Sequence, residues 1–103
     1  MATSALDLLT NDPVEFGIIT LKTRMMIFLC RIIRETGMTQ KEAAEKLAVS
    51  QPRISDLHRG KISKFSIDML IQMLGRMGYM LDVSFDIDNR DAPIFASVKK
   101  SVA

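Results

Sequence analysis

Two helix-start signals lie close together in the middle of the chain and constrain its local fold more than any other feature. Thr39 and Glu42 have the spacing of a capping box, in which the threonine hydroxyl accepts from the backbone N–H three residues on while the glutamate returns to the threonine amide. Ser50 supplies a second N-cap, and Pro52 follows in the first turn, where a missing N–H does no harm. The sequence therefore predicts a short helix from Thr39, a tight turn, and another helix from Gln51 to about Arg59.

Side-chain sizes in this segment favour two helices that cross closely. The first helix carries a small residue, Ala44, and the second carries apolar anchors at Ile54 and Leu57. A bulky side chain in place of Ala44 would push the helices apart. These features indicate helix-turn-helix geometry, in which the N-terminal end of the second helix, residues 50–53, projects from the body and can enter a DNA major groove about 12 Å wide.

The polar side chains of the second helix suit the edges of base pairs. Gln51 can bind adenine and Arg53 can bind guanine, each bidentate pair contributing about 1–3 kcal/mol of discrimination. Asp56 can accept from cytosine, or it can only orient Arg53 or Arg59, and the sequence leaves both readings open. Ser55 is a further candidate. We therefore expect base contacts from this helix, with Gln51 and Arg53 foremost.

Positive charge is concentrated around the same segment. The chain has a net charge of only +2, but residues 22–64 hold ten Lys and Arg against four Asp and Glu, a local charge of +6. A basic region in a nearly neutral protein is typical of binding to a polyanion, although a solvated surface of mixed charge is the alternative. Residues at the helix ends and in the following loop are expected to contact phosphates without reading sequence: Gln40, Ser50, Arg59, Lys61 and Lys64.

A long helix is predicted before this segment. Residues 1–16 show no sustained period and are expected to form a flexible arm. From Gly17 a helical pattern runs to a stop at Gly37. This helix has an apolar face that is expected to pack on the core. It also has a second apolar stripe, which consists of Met26, Cys30 and Ile33. Another part of the protein or a partner must therefore cover this helix on its second side.

A further helix and one strand are predicted after the segment. Ser66 is an N-cap for an amphipathic helix that ends at Gly78. The residues from Tyr79 to Ile87 then alternate between apolar and polar, which indicates one strand with its apolar face inward. A single strand needs a partner from the arm, from a second copy of the chain or from another protein. Residues 89–103 are expected to form a flexible tail.

These features predict a homodimer. One recognition helix reads only a few base pairs, and two copies about one helical turn apart, ~34 Å, multiply affinity and specificity. We expect the strand to pair antiparallel with its two-fold mate. The methionines of the last helix are either core filler or an adaptable apolar interface. The expected dimer interface consists of Met69, Met73, Met77, Tyr79, Leu81, Val83 and Phe85.

Composition argues against catalytic and membrane functions. With one cysteine, Cys30, and one histidine, His58, the chain has no intramolecular disulfide and no four-ligand Cys/His zinc set. We expect Cys30 to be an inert small hydrophobe and His58 to face solvent. No carboxylate pair, nucleophile–base pair or phosphate loop is visible, so no enzyme, metal, cofactor or small-molecule substrate is expected. The longest apolar run, Met25 to Cys30, is too short to span a bilayer and no secretory signal is visible, so we expect a soluble cytoplasmic protein with no membrane partner.

The stretch from Met38 to Leu57 resembles the Xre, or phage-repressor-like, helix-turn-helix pattern of Thr-Gln, a small residue, Val-Ser, then Ile and Leu. More narrowly, Gln51-Pro52-Arg53, followed by Arg59-Gly60-Lys61, Phe65-Ser66, an amphipathic helix and a terminal strand, resembles HigA-type antitoxins. This narrower resemblance covers roughly residues 18–87.

The resemblance implies a dimer that binds an operator over its own toxin–antitoxin genes and also holds a RelE-like toxin. It implies base contacts from Gln51, Pro52, Arg53 and Asp56 and a backbone contact from Gln40. One departure is visible, because the turn carries Ala48 where the family usually has glycine. A Cβ in a left-handed position there costs about 1 kcal/mol.

We therefore expect a mainly α, phage-repressor-like helix-turn-helix domain of four to five helices with one C-terminal β-strand, over residues 17–88. The expected function is that of a sequence-specific DNA-binding antitoxin and transcriptional autorepressor, which binds a double-stranded operator as a homodimer and neutralises a RelE-like toxin. Two alternatives stay open: a stand-alone Xre-type transcriptional regulator without a toxin partner, and a protein-binding scaffold or inhibitor module.

Overall fold

The computed structural model describes residues 11–101. Its elements are α1 (Pro13–Thr36), α2 (Gln40–Leu47), α3 (Gln51–His58), a 3-10 turn (Ile62–Lys64), α4 (Ile67–Arg76), β1 (Tyr79–Phe85) and β2 (Ile94–Lys100). This arrangement confirms the mainly α fold class, with four α-helices and a C-terminal antiparallel hairpin in the described range. No helix within that range is long and apolar enough to cross a membrane.

Helix α1 begins earlier than predicted. Asp12 is its N-cap, since the carboxylate accepts from the N–H of Val14 at 3.0 Å, and Pro13 lies in the first turn. The expected flexible arm is therefore wrong from residue 13 onward, while residues 1–10 of that arm lie outside the described residues. An Asp followed by Pro is itself a helix-start signal, because proline at the first helical position sacrifices no intrahelical hydrogen bond.

The predicted caps of the other helices are confirmed. Thr39 accepts from the N–H of Glu42 at 3.1 Å, and the Glu42 carboxylate accepts from the N–H of Thr39 at 3.2 Å, which completes the capping box of α2. The hydroxyl groups of Ser50 and Ser66 cap α3 and α4 in the same positions. The backbone donors at these helix starts are thus satisfied locally, which fixes where each helix begins.

The core lies where the four helices meet, and every buried residue among those described is apolar. The central cluster consists of Met25, Met26, Leu29, Ile33, Ala43, Ala44, Leu47, Ile54, Leu57, Phe65, Leu70, Met73 and Leu74. Ala44 is 5 % exposed, and α2 contacts α3 beside it. The small side chain therefore permits the close crossing that the sequence predicts.

Two of the three methionines predicted for the dimer interface keep some exposed surface, and one does not. Met73 is 2 % exposed within the core. Its predicted role in a dimer interface is wrong, because the monomer already covers the side chain. Met69 and Met77 are half-buried and pack against the same core. They retain only part of their surface for a partner.

The C-terminal strand has its partner within the chain. Strand β1 pairs antiparallel with β2, in a register that sets Tyr79 opposite Lys100. The predictions of a single strand and of a flexible tail over residues 89–103 are therefore wrong for Ile94–Lys100, and the pairing partner is none of the three considered. The run of β-branched, aromatic and small residues that follows Pro93 is the sequence signal for this strand.

One face of the hairpin is apolar along nearly its whole length. Near the helices this face is covered, since Tyr79 and Val98 pack against the core. Farther out, Val83 is 58 % exposed, Phe85 70 % and Ile94 68 %. The expectation of an inward apolar face is therefore correct for the first half of β1 and wrong for the second. We call the outer part the distal hairpin face, which consists of Val83, Phe85, Ile94 and Ala96.

Candidate nucleic-acid interface

The turn between α2 and α3 contains the left-handed residue predicted from the sequence. Ala48 has φ 56° and ψ 44° and is the one non-glycine residue with positive φ between residues 11 and 101. Its N–H donates to Glu45 O at 3.3 Å, and the N–H of Val49 donates to Ala44 O at 3.0 Å. These bonds close the end of α2 and turn the chain directly into α3.

The N-terminal end of α3 projects from the body as predicted. The hydroxyl of Ser50 accepts from the backbone N–H of Arg53 at 3.2 Å, which fixes the first turn. Gln51 and Pro52 are both exposed. The polar atoms of Gln51 are therefore accessible to a base edge, and Pro52 offers an apolar surface beside them.

Arg53 does not extend freely into solvent. Its side chain is half-buried, and Nη1 donates to the carbonyl oxygen of Lys64 at 2.7 Å. The guanidinium carbon lies 5.7 Å from the centroid of the Phe65 ring. Because a guanidinium carries five N–H donors, this arrangement leaves donors for a base or a phosphate while it fixes the orientation of the group.

The Asp56 carboxylate forms no salt bridge in the described residues with Arg53 or Arg59, the two arginines that it was expected to orient. Its carboxylate lies 3.8 Å from Nζ of Lys61, and its carbonyl accepts from the Lys61 N–H at 3.0 Å. Asp56 is thus tied to the loop that follows α3. Ser55 is half-buried, and its carbonyl accepts from the N–H of Arg59 at 3.0 Å. Both side chains are less accessible than Gln51.

The residues predicted to contact phosphates lie at the ends of α2 and α3 and in the loop after α3. Gln40 is the exposed first residue of α2. The hydroxyl of Ser50 accepts as a helix cap and keeps its own O–H to donate. We call residues 59–64 the basic loop, in which Arg59, Lys61 and Lys64 are exposed. The contact between Arg53 and Lys64 brings this loop against the first turn of α3.

A groove of about 630 Å³ lies between α1 and the C-terminal end of α3. It exposes part of the second apolar stripe of α1, and Ile27, 64 % exposed, stands at its edge. In its wall the thiol of Cys30 donates to the carbonyl of Leu57 at 3.5 Å. Burial raises the pKa of this thiol, partly offset by Arg34. The exposed His58 lines the same groove, and no group of three or more His, Cys, Asp or Glu in the described residues is placed to hold a metal ion.

The groups that hold the Arg53 guanidinium in place were not predicted from the sequence. The support consists of a backbone carbonyl and a buried aromatic ring, from Lys64 and Phe65. No periodic or local pattern links residues this far apart in the chain, because the contact depends on the path of the basic loop. The general tendency of arginine side chains to lie over aromatic rings could have suggested a contact with a phenylalanine, but it does not say which one.

A family model described as a helix-turn-helix domain matches residues 9–86 of the chain. The matched span includes all four helices, the turn at Ala48 and strand β1, and it ends before strand β2. No curated protein matches the chain.

Proposed function

Because the chain belongs to the helix-turn-helix domain family, we propose that it is a sequence-specific transcriptional regulator that binds a double-stranded operator through the N-terminal end of α3. The observation that carries the proposal is the outward placement of Gln51 on a helix whose other side is anchored. Ile54 and Leu57 on that side are 0 % and 1 % exposed. A base-reading side chain is most effective when such packing fixes the element that carries it.

The distribution of positive charge supports the same surface as the site of DNA binding. The basic loop adjoins the base-reading end of α3, so its cations would lie beside the phosphates that flank the contacted bases. Phosphate contacts supply affinity and register, whereas base contacts supply sequence preference. Gln51, Pro52 and Arg53, with Ser55 and Asp56 behind them, are the proposed base contacts.

We propose that the regulator acts as a homodimer. Strand β1 is bonded to β2 along one edge, and its other edge has no strand partner in the described part of the chain. Pairing of two β1 strands along this edge would form a four-stranded sheet and would bring the exposed side chains of Val83 and Phe85 next to those of the mate. A two-fold dimer presents two copies of α3 to an inverted repeat, and occupation of such an operator over its own gene would make the chain an autorepressor.

We further propose that the chain is an antitoxin that holds a RelE-like toxin. The support is the resemblance to HigA-type antitoxins together with a second exposed apolar surface. Val14 is 70 % exposed, Ile18 45 % and Leu21 39 %, all on one side of the first half of α1. Monomeric proteins rarely leave such stripes uncovered. Co-expression with a neighbouring RelE-like gene tests this part: co-purification supports it, and purification of the chain alone favours a regulator without a toxin.

The DNA-binding proposal is tested by selecting duplexes from a random pool and titrating the selected duplex against an unrelated one by fluorescence anisotropy. We expect a preference of at least 1,000-fold, which is typical of specific regulators. Gln51→Ala should reduce that preference by about 5- to 150-fold, the equivalent of 1–3 kcal/mol. Gln72→Ala, at an exposed glutamine on α4, is the matched control. Failure of the wild-type chain to select any duplex would leave a protein-binding module as the better reading.

A further inference from the structure

We propose that Arg53 is a positioning residue for the basic loop as well as a base-contacting residue, so that sequence-specific and phosphate contacts are coupled through one side chain. This inference rests on the proposed DNA-binding function. It goes beyond that function because a residue that only reads bases would leave the affinity for unrelated DNA unchanged.

The backbone and the guanidinium group of Arg53 are bound by different parts of the chain. Its backbone N–H is bound by the Ser50 cap in the first turn of α3, and its Nη1 donates to Lys64 O, eleven residues away, at 2.7 Å. The distance is short, as expected for a donor that carries a full charge. The Phe65 ring beside the guanidinium is 2 % exposed and cannot move without disturbing the core. The side chain therefore bridges the recognition helix and the loop rigidly.

Asp56 on α3 already holds Lys61, whereas Lys64 has no hydrogen bond or ion pair to α3 among the described residues other than the one from Arg53. The other hydrogen bonds at this end of the loop are local, with the N–H of Lys64 donating to Lys61 O at 3.0 Å and the N–H of Phe65 donating to Ile62 O at 3.1 Å. The guanidinium fixes the peptide group that carries the Lys64 carbonyl. It thereby fixes the point from which the Lys64 side chain leaves the loop, next to the first turn of α3.

The bridge also leaves Arg53 able to contact a base. One of its five N–H groups is used by the carbonyl, and the others can reach guanine O6 and N7. A lysine at this position could donate to the carbonyl but could not make the paired contact to guanine. Arg53→Lys should therefore separate the two roles, whereas Arg53→Ala removes both.

The test measures the affinity of full-length variants for the selected operator and for an unrelated duplex over a range of salt concentrations. Arg53→Ala is expected to lose operator preference, to bind the unrelated duplex several-fold more weakly, and to flatten the salt slope by more than the ~0.9 that one lost phosphate contact explains. Arg53→Lys should restore the affinity for the unrelated duplex and the slope without restoring preference. Gln51→Ala should reduce the operator preference by about 5- to 150-fold. Gln72→Ala, at an exposed glutamine on α4, is the control and should leave the preference, the affinity for the unrelated duplex and the salt slope unchanged.

Two outcomes would overturn the inference. The first is an Arg53→Ala variant whose affinity for the unrelated duplex and whose salt slope equal those of the wild type. The second is unchanged amide hydrogen exchange of Phe65 in DNA-free Arg53→Ala, where loss of the bridge should accelerate exchange. Because the second measurement needs no DNA, it separates failure of this inference from failure of the proposed function, which would appear as a wild-type chain without duplex preference.

Discussion

The ring of Phe28 on α1 meets the ring of Tyr79, the first residue of β1, edge-on, with centroids 5.1 Å apart and planes at 87°. This contact fastens the base of the hairpin to the longest helix. Tyr79 follows Gly78, whose φ of 87° turns the chain out of α4. The aromatic pair therefore helps to position the hairpin, together with the turn at Gly78 and the packing of Val98 against the core.

We expect Phe28→Leu to lower the free energy of unfolding by about 1 kcal/mol, because the edge-to-face contact is lost while most of the apolar volume is kept. Urea unfolding followed by circular dichroism measures this change. Ile27→Leu, at the neighbouring and 64 % exposed residue, is the control and should be close to neutral. Equal stability of the two variants would show that the aromatic pair does not hold the hairpin.

Ala48 is the position at which a stabilising substitution is expected. Its φ of 56° is strained for an L-residue, and Ala48→Gly should raise the free energy of unfolding by about 0.5–1 kcal/mol, less the entropy that glycine adds to the unfolded chain. Thermal unfolding checks the sign. Ala43→Gly, within α2 at a residue 0 % exposed, should instead destabilise the protein. A lower melting temperature for Ala48→Gly would contradict the assignment of strain.

Local signals in the sequence predict the helices of this fold well. The capping box at Thr39, the caps at Ser50 and Ser66 and the glycine at Gly37 act over a single turn of chain, so that they can be read without knowledge of the rest of the fold. The left-handed conformation of Ala48 was instead implied by the resemblance to the helix-turn-helix pattern, which usually has glycine in this turn.

Contacts between distant segments account for what the sequence analysis did not predict. Strand β2 was missed because the run of β-branched, aromatic and small residues after Pro93 is short and forms a strand only when β1 is available beside it. The burial of Met73 depends on how α4 is rotated against the core. The hydrogen bond from Arg53 to the Lys64 carbonyl depends on the path of the basic loop. None of these relationships has a period or a cap that marks it.

Phe85, the residue of β1 at the outer end of the distal hairpin face, should be required for dimerisation. Phe85 is 70 % exposed in the isolated chain, so Phe85→Ser should leave the fold unchanged and shift the protein from dimer to monomer in sedimentation experiments at micromolar concentration. Phe95, 53 % exposed, lies on the opposite face of the same hairpin, and Phe95→Ser is the matched control. Dimers that survive Phe85→Ser, or a monomeric wild type, would reject the proposed interface.

Cys30 should react slowly with alkylating reagents at neutral pH, because burial raises the pKa of its thiol and keeps it protonated, with Arg34 opposing the effect. The folded state then holds its proton at pH values where the unfolded chain has lost it. The contribution of the thiol to the free energy of unfolding is therefore fully present below the ordinary pKa of a free thiol, and it is lost as the pH rises from there through the raised pKa of the folded state. Unfolding measured from pH 7 to 10 should show a shallower decline in Cys30→Ala than in the wild type. If the free energy of unfolding falls with pH equally in Cys30→Ala and in the wild type, the thiol is not the source of the pH dependence.

Asp56→Asn should show whether Asp56 reads cytosine, one of the two possibilities that the sequence left open, or restrains Lys61, the partner that it has in the structure. The carboxylate lies 3.8 Å from Lys61 Nζ, and both side chains are partly exposed, so the pair adds little stability. If Asp56 only restrains Lys61, removal of its charge should strengthen binding to the operator and to unrelated duplexes alike and should steepen the salt dependence, since Lys61 is released to a phosphate. Lys61→Ala, the companion variant, should weaken binding to both duplexes and flatten the slope by about 0.9. A loss of affinity in Asp56→Asn that is confined to duplexes with one particular C·G pair would instead identify Asp56 as a direct reader of cytosine.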